Sequence, residues 1–180
     1  KSLYQAYRSL ESIAASNSLG MSTLTSAVVP VLEERHNRLP QLRTVVSTAV
    51  DLDRFKMNLS PPKSIMALFS GTYSDYYDLH LSAQFLKELQ KLGEVETHWA
   101  RPRESSRLGL GVGEGKIFPS TQTEIAEIIP HFSFGVSICQ LDAGPSLKAA
   151  MPTKIAEFLA CGRPIVVSKG LGDMDSFIEE

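Results

Sequence analysis

The feature that most narrows what this chain can fold into is an alternation that sets in after Pro62: short apolar runs separated by single stretches of helical periodicity, most of them cut off by Gly or Pro. Ser64 to Ser70 carries the unbroken run Ile65-Met66-Ala67-Leu68-Phe69, as expected of a strand covered on both faces. From Asp78, a good N-cap, Leu79, Ala83, Leu86 and Leu89 fall on one helical stripe that Gly93 stops. Glu94 to Trp99 reads as a strand, Arg101 to Lys116 as a loop rich in Arg and Gly, and Ile117 to Pro119 as a strand stub. Thr121 and Glu124 form a Thr-x-x-Glu capping box for a short helix that Pro130 closes. Phe134 to Leu141 is the next strand. Pro152 opens a helix at its first position, with Ile155, Phe158 and Leu159 as the apolar face and Gly162 as the stop. Pro164 to Ser168 is a compact strand, and a last helix begins near Asp173. Strands separated by single helices specify βαβ units, hence an α/β fold: a Rossmann-like parallel sheet with helices on both faces.

The residues ahead of this region read differently. Leu3, Tyr7, Leu10 and Ala14 recur at helical spacing, so residues 2 to 15 form a helix that Asn17 to Gly20 breaks. Met21 to Ala27 is a Thr/Ser-rich piece with the makings of a short strand. Pro30 suits a first helical turn, and Val28, Val31, Leu32 and Leu39 give a second helix ending near Pro40. Thr44 to Thr48 is a β-branched strand, followed by a polar connection from Ala49 to Pro62. The chain opens on Lys1 and stops at Glu180 inside a helical pattern, so it reads as a piece of something longer.

Composition excludes several function classes. With 43% hydrophobic and 21% charged residues the chain is an ordinary globular one, not a disordered segment. Eighteen basic against twenty acidic residues leave a net charge of −2, which argues against a nucleic-acid binder. No apolar run approaches the roughly 20 residues that span a bilayer, and no signal peptide is recognisable. Cys139 and Cys161 sit in apolar surroundings without CxxC spacing and read as reduced core thiols of a cytoplasmic protein. His36, His80, His98 and His131 lack ligand spacing, so no metal site is expected.

In an open parallel sheet, ligands bind outside the carboxyl ends of the strands, where loops meet helix N-termini. Three junctions qualify: Gly71-Thr72-Tyr73, Arg101 to Lys116, and Asp142 to Lys154. The third leads into Pro152-Thr153-Lys154-Ile155-Ala156-Glu157-Phe158-Leu159-Ala160-Cys161-Gly162-Arg163-Pro164-Ile165-Val166. The amides of Thr153 and Lys154 at the start of a helix suit a pyrophosphate. Glu157 stands three residues beyond Lys154 on the same face, so a carboxylate able to accept from a diol neighbours an ammonium able to meet a phosphate.

That stretch resembles the donor-binding helix of GT-B glycosyltransferases, in particular the retaining family 4 group, with its Pro-Thr-Lys start, its Glu and its Ala-x-Gly-x-Pro-Val ending. Val50-Asp51-Leu52-Asp53-Arg54-Phe55 resembles the group's Gly-Val-Asp-x-x-Arg-Phe segment between its two domains, with Ala49 where the Gly stands. Gly71 matches the glycine at the donor diphosphate, and the likeness covers roughly residues 44 to 180. The resemblance implies that residues 1–43 end an acceptor-side domain and that residues 44–180 form a nucleotide-sugar-binding domain, truncated at its C-terminus. It implies transfer of a hexosyl unit from a nucleotide diphosphate sugar to an acceptor hydroxyl, carbohydrate or lipid-linked. The nucleotide sugar is the co-substrate, with no other cofactor and no obligatory metal.

Gly71, Thr72, Ser146, Lys148, Thr153, Lys154 and Glu157 are the donor-binding candidates, with Glu157 on the ribose, Thr153 and Lys154 on the diphosphate, and Asp142 to Ser146 facing the sugar. Ala149 stands where many family 4 members carry a second Glu, and no Arg/Lys pair follows Gly71. Lys148, Lys154, Arg101 and Arg103 remain as cations for the diphosphate. No catalytic base is assigned, and the fragment alone is expected to transfer nothing. The same fold also accommodates a nucleotide-sugar epimerase or a non-catalytic binding or scaffold domain.

Overall fold

The computed structural model describes residues 2–70, 76–101, 116–119, 121–142 and 144–179. The elements run α1 (Leu3–Asn17), β1 (Gly20–Thr23), α2 (Val29–Arg35), β2 (Leu42–Val45), β3 (Ile65–Ser70), α3 (Leu79–Leu92), β4 (Val95–Arg101), β5 (Lys116–Pro119), α4 (Gln122–Ile128), β6 (Phe134–Ser137), α5 (Pro145–Lys148), α6 (Thr153–Ala160), β7 (Ile165–Val167) and α7 (Met174–Glu179). They divide into two compact units. One is built from three separate segments, residues 1–48, 144–151 and 170–180, and the other from residues 49–143 and 152–169.

The second unit is a five-stranded sheet in the order β5-β4-β3-β6-β7, every pairing parallel. The period-2 side-chain alternation of β3 explains why both faces are covered. Leu68 points to one core with Ala100, Ile125, Ile129, Phe132 and Phe158, while Ala67 and Phe69 point to the other with Leu86, Trp99 and Val136. Helices α4 and α6 lie against the first face and α3 against the second. Phe55, from the segment linking β2 to β3, is buried in the first core, and Phe55 N–H donates to the Asp51 carbonyl at 2.8 Å. The two faces of the α/β sheet are therefore filled as the sequence implies.

Local chemistry sets the helix ends. Thr121 and Glu124 form the expected capping box, and Asp78 Oδ1 accepts from the Leu81 amide at 2.8 Å to start α3. Gly162 ends α6 at φ +72°, a conformation that favours glycine. Pro152 departs from expectation: it is the N-cap of α6, extended at ψ 129°, and the helix begins one residue later. A proline ring fixes φ but leaves ψ free, so the residue can stand extended one position ahead of the first helical residue. The four-residue α5 is too short to show any periodicity in the sequence.

The first unit carries a separate two-stranded parallel sheet, β1 with β2, alongside α1 and α2. Leu3, Tyr7, Leu10 and Ile13 of α1 and Leu42 and Val45 of β2 are all exposed. The carboxylate of Asp173, just ahead of α7, accepts from Ser26 N (2.7 Å), Ala27 N (2.8 Å) and Ser26 Oγ (2.9 Å). Burial pushes this carboxyl up, but the three donors outweigh it and hold Asp173 below the usual carboxylate range. The stabilisation is therefore present above the unfolded-state value of 3.8 and is lost as pH falls through the lower folded value. Asp173→Ala is expected to cost about 1–2 kcal/mol at pH 7, with the gap to wild type closing in acid; urea unfolding across that range checks it.

Candidate functional site

The five-stranded sheet has one topological switch point. After β3 the chain adds β4 and β5 on one side, then returns to place β6 and β7 on the other. The carboxyl ends of β3 and β6 therefore flank the place where a doubly wound sheet takes its ligand. From β3 comes Phe69, and just beyond β6 comes Cys139. Helix α6 is held against β6 because residue 135 is glycine: a Cβ there would lie 2.7 Å from the Phe158 ring. Phe158 is fully buried, and its neighbours on α6, Lys154 and Glu157, are buried too.

Lys154 is 6% exposed, and its Nζ has no hydrogen-bond partner among the described residues. The ammonium lies 3.8 Å from the Tyr77 ring centroid and 5.5 Å from that of Phe69. Burial pushes its pKa down to about 8, opposed by the nearby Cys139 and Glu157. Glu157 is 8% exposed. Burial pushes its carboxyl up, with Lys154 pulling the other way. The Cys139 thiol is raised by burial and the Tyr77 hydroxyl is pushed up to about 12 by the same cause. A charged amine with three unused donors in a poorly solvated place is costly without an anion to meet it.

The structure thus brings together Thr153, Lys154 and Glu157 of the expected set, with Lys154 and Glu157 buried and Thr153 exposed at the helix start. Ser146 and Lys148 are exposed on α5, in the other compact unit. Gly71, Thr72 and Arg103 lie outside the described residues, as does residue 143 of the Asp142 to Ser146 loop. Three neighbours of the ammonium escaped the sequence reading: Tyr77, Phe69 and Cys139. The available signal was the aromatic pair Tyr76-Tyr77 directly ahead of the Asp78 cap, at the entrance to the helix after the first sheet strand. Cys139 and Cys161 are both free and buried. Among the described residues no group of three or more His, Cys, Asp or Glu is placed to hold a metal, and no helix is long and apolar enough to cross a membrane.

The sequence matches no protein-family model and no curated protein. Solved structures do match. HepE of Anabaena in complex with UDP-glucose superposes with a TM-score of 0.71 over 95% of this chain at 13% identity. The same protein with UDP and glucose gives 0.71 at 14% identity. The GtfA/B complex gives 0.62 over 96% of the chain at 11% identity. The fold is the GT-B fold. This chain spans 50% of the HepE chain and 33% of the matched GtfA/B chain, so about half or more of each neighbour has no counterpart here.

Proposed function

We propose that the chain is the donor-side part of a nucleotide-sugar-dependent glycosyltransferase of the retaining, family 4-like kind. It would bind a nucleotide diphosphate sugar for hexosyl transfer to an acceptor hydroxyl, on a carbohydrate or lipid-linked acceptor. The observation that carries this reading is the buried Lys154 ammonium, without a hydrogen-bond partner among the described residues, on the first turn of α6 at the switch point, with the Glu157 carboxylate one turn on. An amine in that setting suits a diphosphate, and the unpaired amides at the start of α6 add a partial positive charge. A carboxylate beside it accepts from both hydroxyls of a ribose. That HepE of the same fold was solved with UDP-glucose agrees with this ligand class.

In this reading the chemistry needs stabilisation of the charge that grows on the departing diphosphate, which Lys154 and the amides of Thr153 and Lys154 supply. Gly71, Thr72, Ser146 and Lys148 are assigned to the donor on the resemblance to the family 4 group alone. No further cofactor is called for. Residues 1–43 are assigned to the end of an acceptor-side domain and residues 44–180 to the donor domain.

Calorimetric titration with UDP-, GDP- and ADP-sugars tests the assignment on wild type and Glu157→Ala. A charge-assisted hydrogen-bond acceptor contributes about 1.5–3 kcal/mol, so the variant should bind the preferred nucleotide at least several-fold more weakly. Equal affinity in the two proteins removes Glu157 from the site, and no affinity for any of the three sugars removes the reading itself.

A further inference from the structure

The geometry points to Tyr77 as the positioning residue of this site, its ring face holding the Lys154 ammonium at the switch point with the amine's hydrogen-bond donors left for an anionic ligand. The inference rests on the diphosphate reading above and adds how the cation is kept ready.

A buried ammonium is ordinarily kept by a carboxylate at hydrogen-bond distance, which neutralises it and occupies its donors. Here Nζ has no such partner among the described residues, although Glu157 is close enough to act electrostatically. The Tyr77 ring, 3.8 Å away, takes that place. The negative face of an aromatic ring attracts a cation without accepting its hydrogen bonds as a carboxylate would.

The ring is also fixed from behind. Residues 76–78 run antiparallel to residues 138–140: Asp78 N–H donates to Ile138 O and Gln140 N–H to Tyr76 O, each at 3.0 Å, with Tyr77 and Cys139 as bridge partners. The Asp78 side chain then anchors the same segment to the start of α3. Edge-on contacts from Tyr76 (5.2 Å) and Phe69 (6.2 Å) brace the Tyr77 ring itself. A strap that joins the segments following β3 and β6 thus delivers one aromatic face to one cation, at the place where the sheet takes its ligand.

Titration of the full 180-residue chain with UDP and with inorganic pyrophosphate tests this, using wild type, Tyr77→Leu and Tyr77→Phe. Leu keeps an apolar cover and removes the ring; Phe keeps the ring and removes the hydroxyl. Loss of a desolvated cation–π contact should weaken both probes roughly 3- to 30-fold in Tyr77→Leu, with Tyr77→Phe restored to within about twofold of wild type. A pH series separates positioning from general packing. The titratable groups acting on the ammonium are Glu157 and Cys139, with the Tyr77 ring face over it and Tyr76 packed edge-on against that ring.

The Cys139 thiol and both tyrosine hydroxyls are pushed upward by burial and stay protonated near neutrality, and Glu157→Gln run in parallel removes the carboxylate. Wild-type affinity should fall as pH rises past about 8, where Lys154 loses its proton. That fall should begin at lower pH in Tyr77→Leu and be unmoved in Tyr77→Phe. Emission of Trp99, the chain's one tryptophan, 4.5 Å from Phe69, reports whether each variant is native. Tyr77→Met takes the place of the Leu variant if that one is not. Equal affinity and equal pH profiles in wild type and Tyr77→Leu overturn the assignment, as does a Phe variant as weak as the Leu variant. Wild type binding neither probe overturns the diphosphate reading and this role with it, and is told apart because no variant comparison then shows binding.

Discussion

Phe158→Ala is expected to lower the stability of the chain by about 3–5 kcal/mol, the range for emptying a large aromatic site in a packed core. Phe158 has no exposed surface and sits among Phe55, Leu68, Ile125, Ile129 and Phe132. Its ring fills the space above Gly135, where a single added carbon would come within 2.7 Å of it. Gly135→Ala should therefore also destabilise, by about 1–3 kcal/mol from overpacking. The two effects are not independent. With the ring gone, the added methyl of Gly135→Ala enters vacated space, so the double variant should be more stable than the sum of the single losses. Urea unfolding of the four proteins closes this cycle, and strict additivity would show that α6 and β6 do not pack as described. Because α6 carries Lys154 and Glu157, nucleotide affinity should fall with the packing.

Lys154→Met is expected to move stability and binding in opposite directions. Exchanging a buried cation that has no hydrogen-bond partner among the described residues for an apolar side chain of similar length should stabilise the fold by about 1–3 kcal/mol at pH 7. The same change should weaken nucleotide binding about 10- to 150-fold, the equivalent of a charge-assisted hydrogen bond. The folded-state pKa of about 8 lies below the ordinary 10.5, so the folded chain holds fewer protons than the unfolded one between these values. Wild-type stability from this group therefore rises with pH across that window, and the advantage of the Met variant shrinks. Denaturation midpoints of the two proteins at pH 7 and above pH 9 check the sign. A Met variant less stable than wild type at pH 7 would mean that the ammonium has a partner that outweighs its burial. A site whose side chain costs stability and gains affinity is the usual signature of function placed against packing.

Much of this was legible beforehand because it depends on local periodicity. The run Ile65 to Phe69 and the stripe Leu79, Ala83, Leu86 and Leu89 announce a strand and a helix, and they reappear as β3, buried from Ala67 onward, and as α3, centred on buried Leu86. The Thr121–Glu124 box is a contact three residues long and needs no tertiary information. Lys154 and Glu157 could be paired from spacing along α6, but the ring over the ammonium could not. Tyr77 is fixed over it by a strap with Ile138 to Gln140, a segment far along the chain whose Cys139 is its bridge partner. Nor does spacing reveal that residues 144–151 and 170–180 join the unit of residues 1–48, since no composition change marks those crossings.

That patchwork unit fixes an order of events as the chain leaves the ribosome. The five-stranded unit has all of its residues once position 169 has emerged. The unit holding the first 48 residues does not. Asp173 has yet to reach Ser26 and Ala27, and Gly172 N–H has yet to find the Leu147 carbonyl. The segment of residues 1–48 is thus closed only once residues 170–180 have been made, and a premature stop directly after residue 169 would leave the five-stranded unit with all of its residues and the other unit without its clasp.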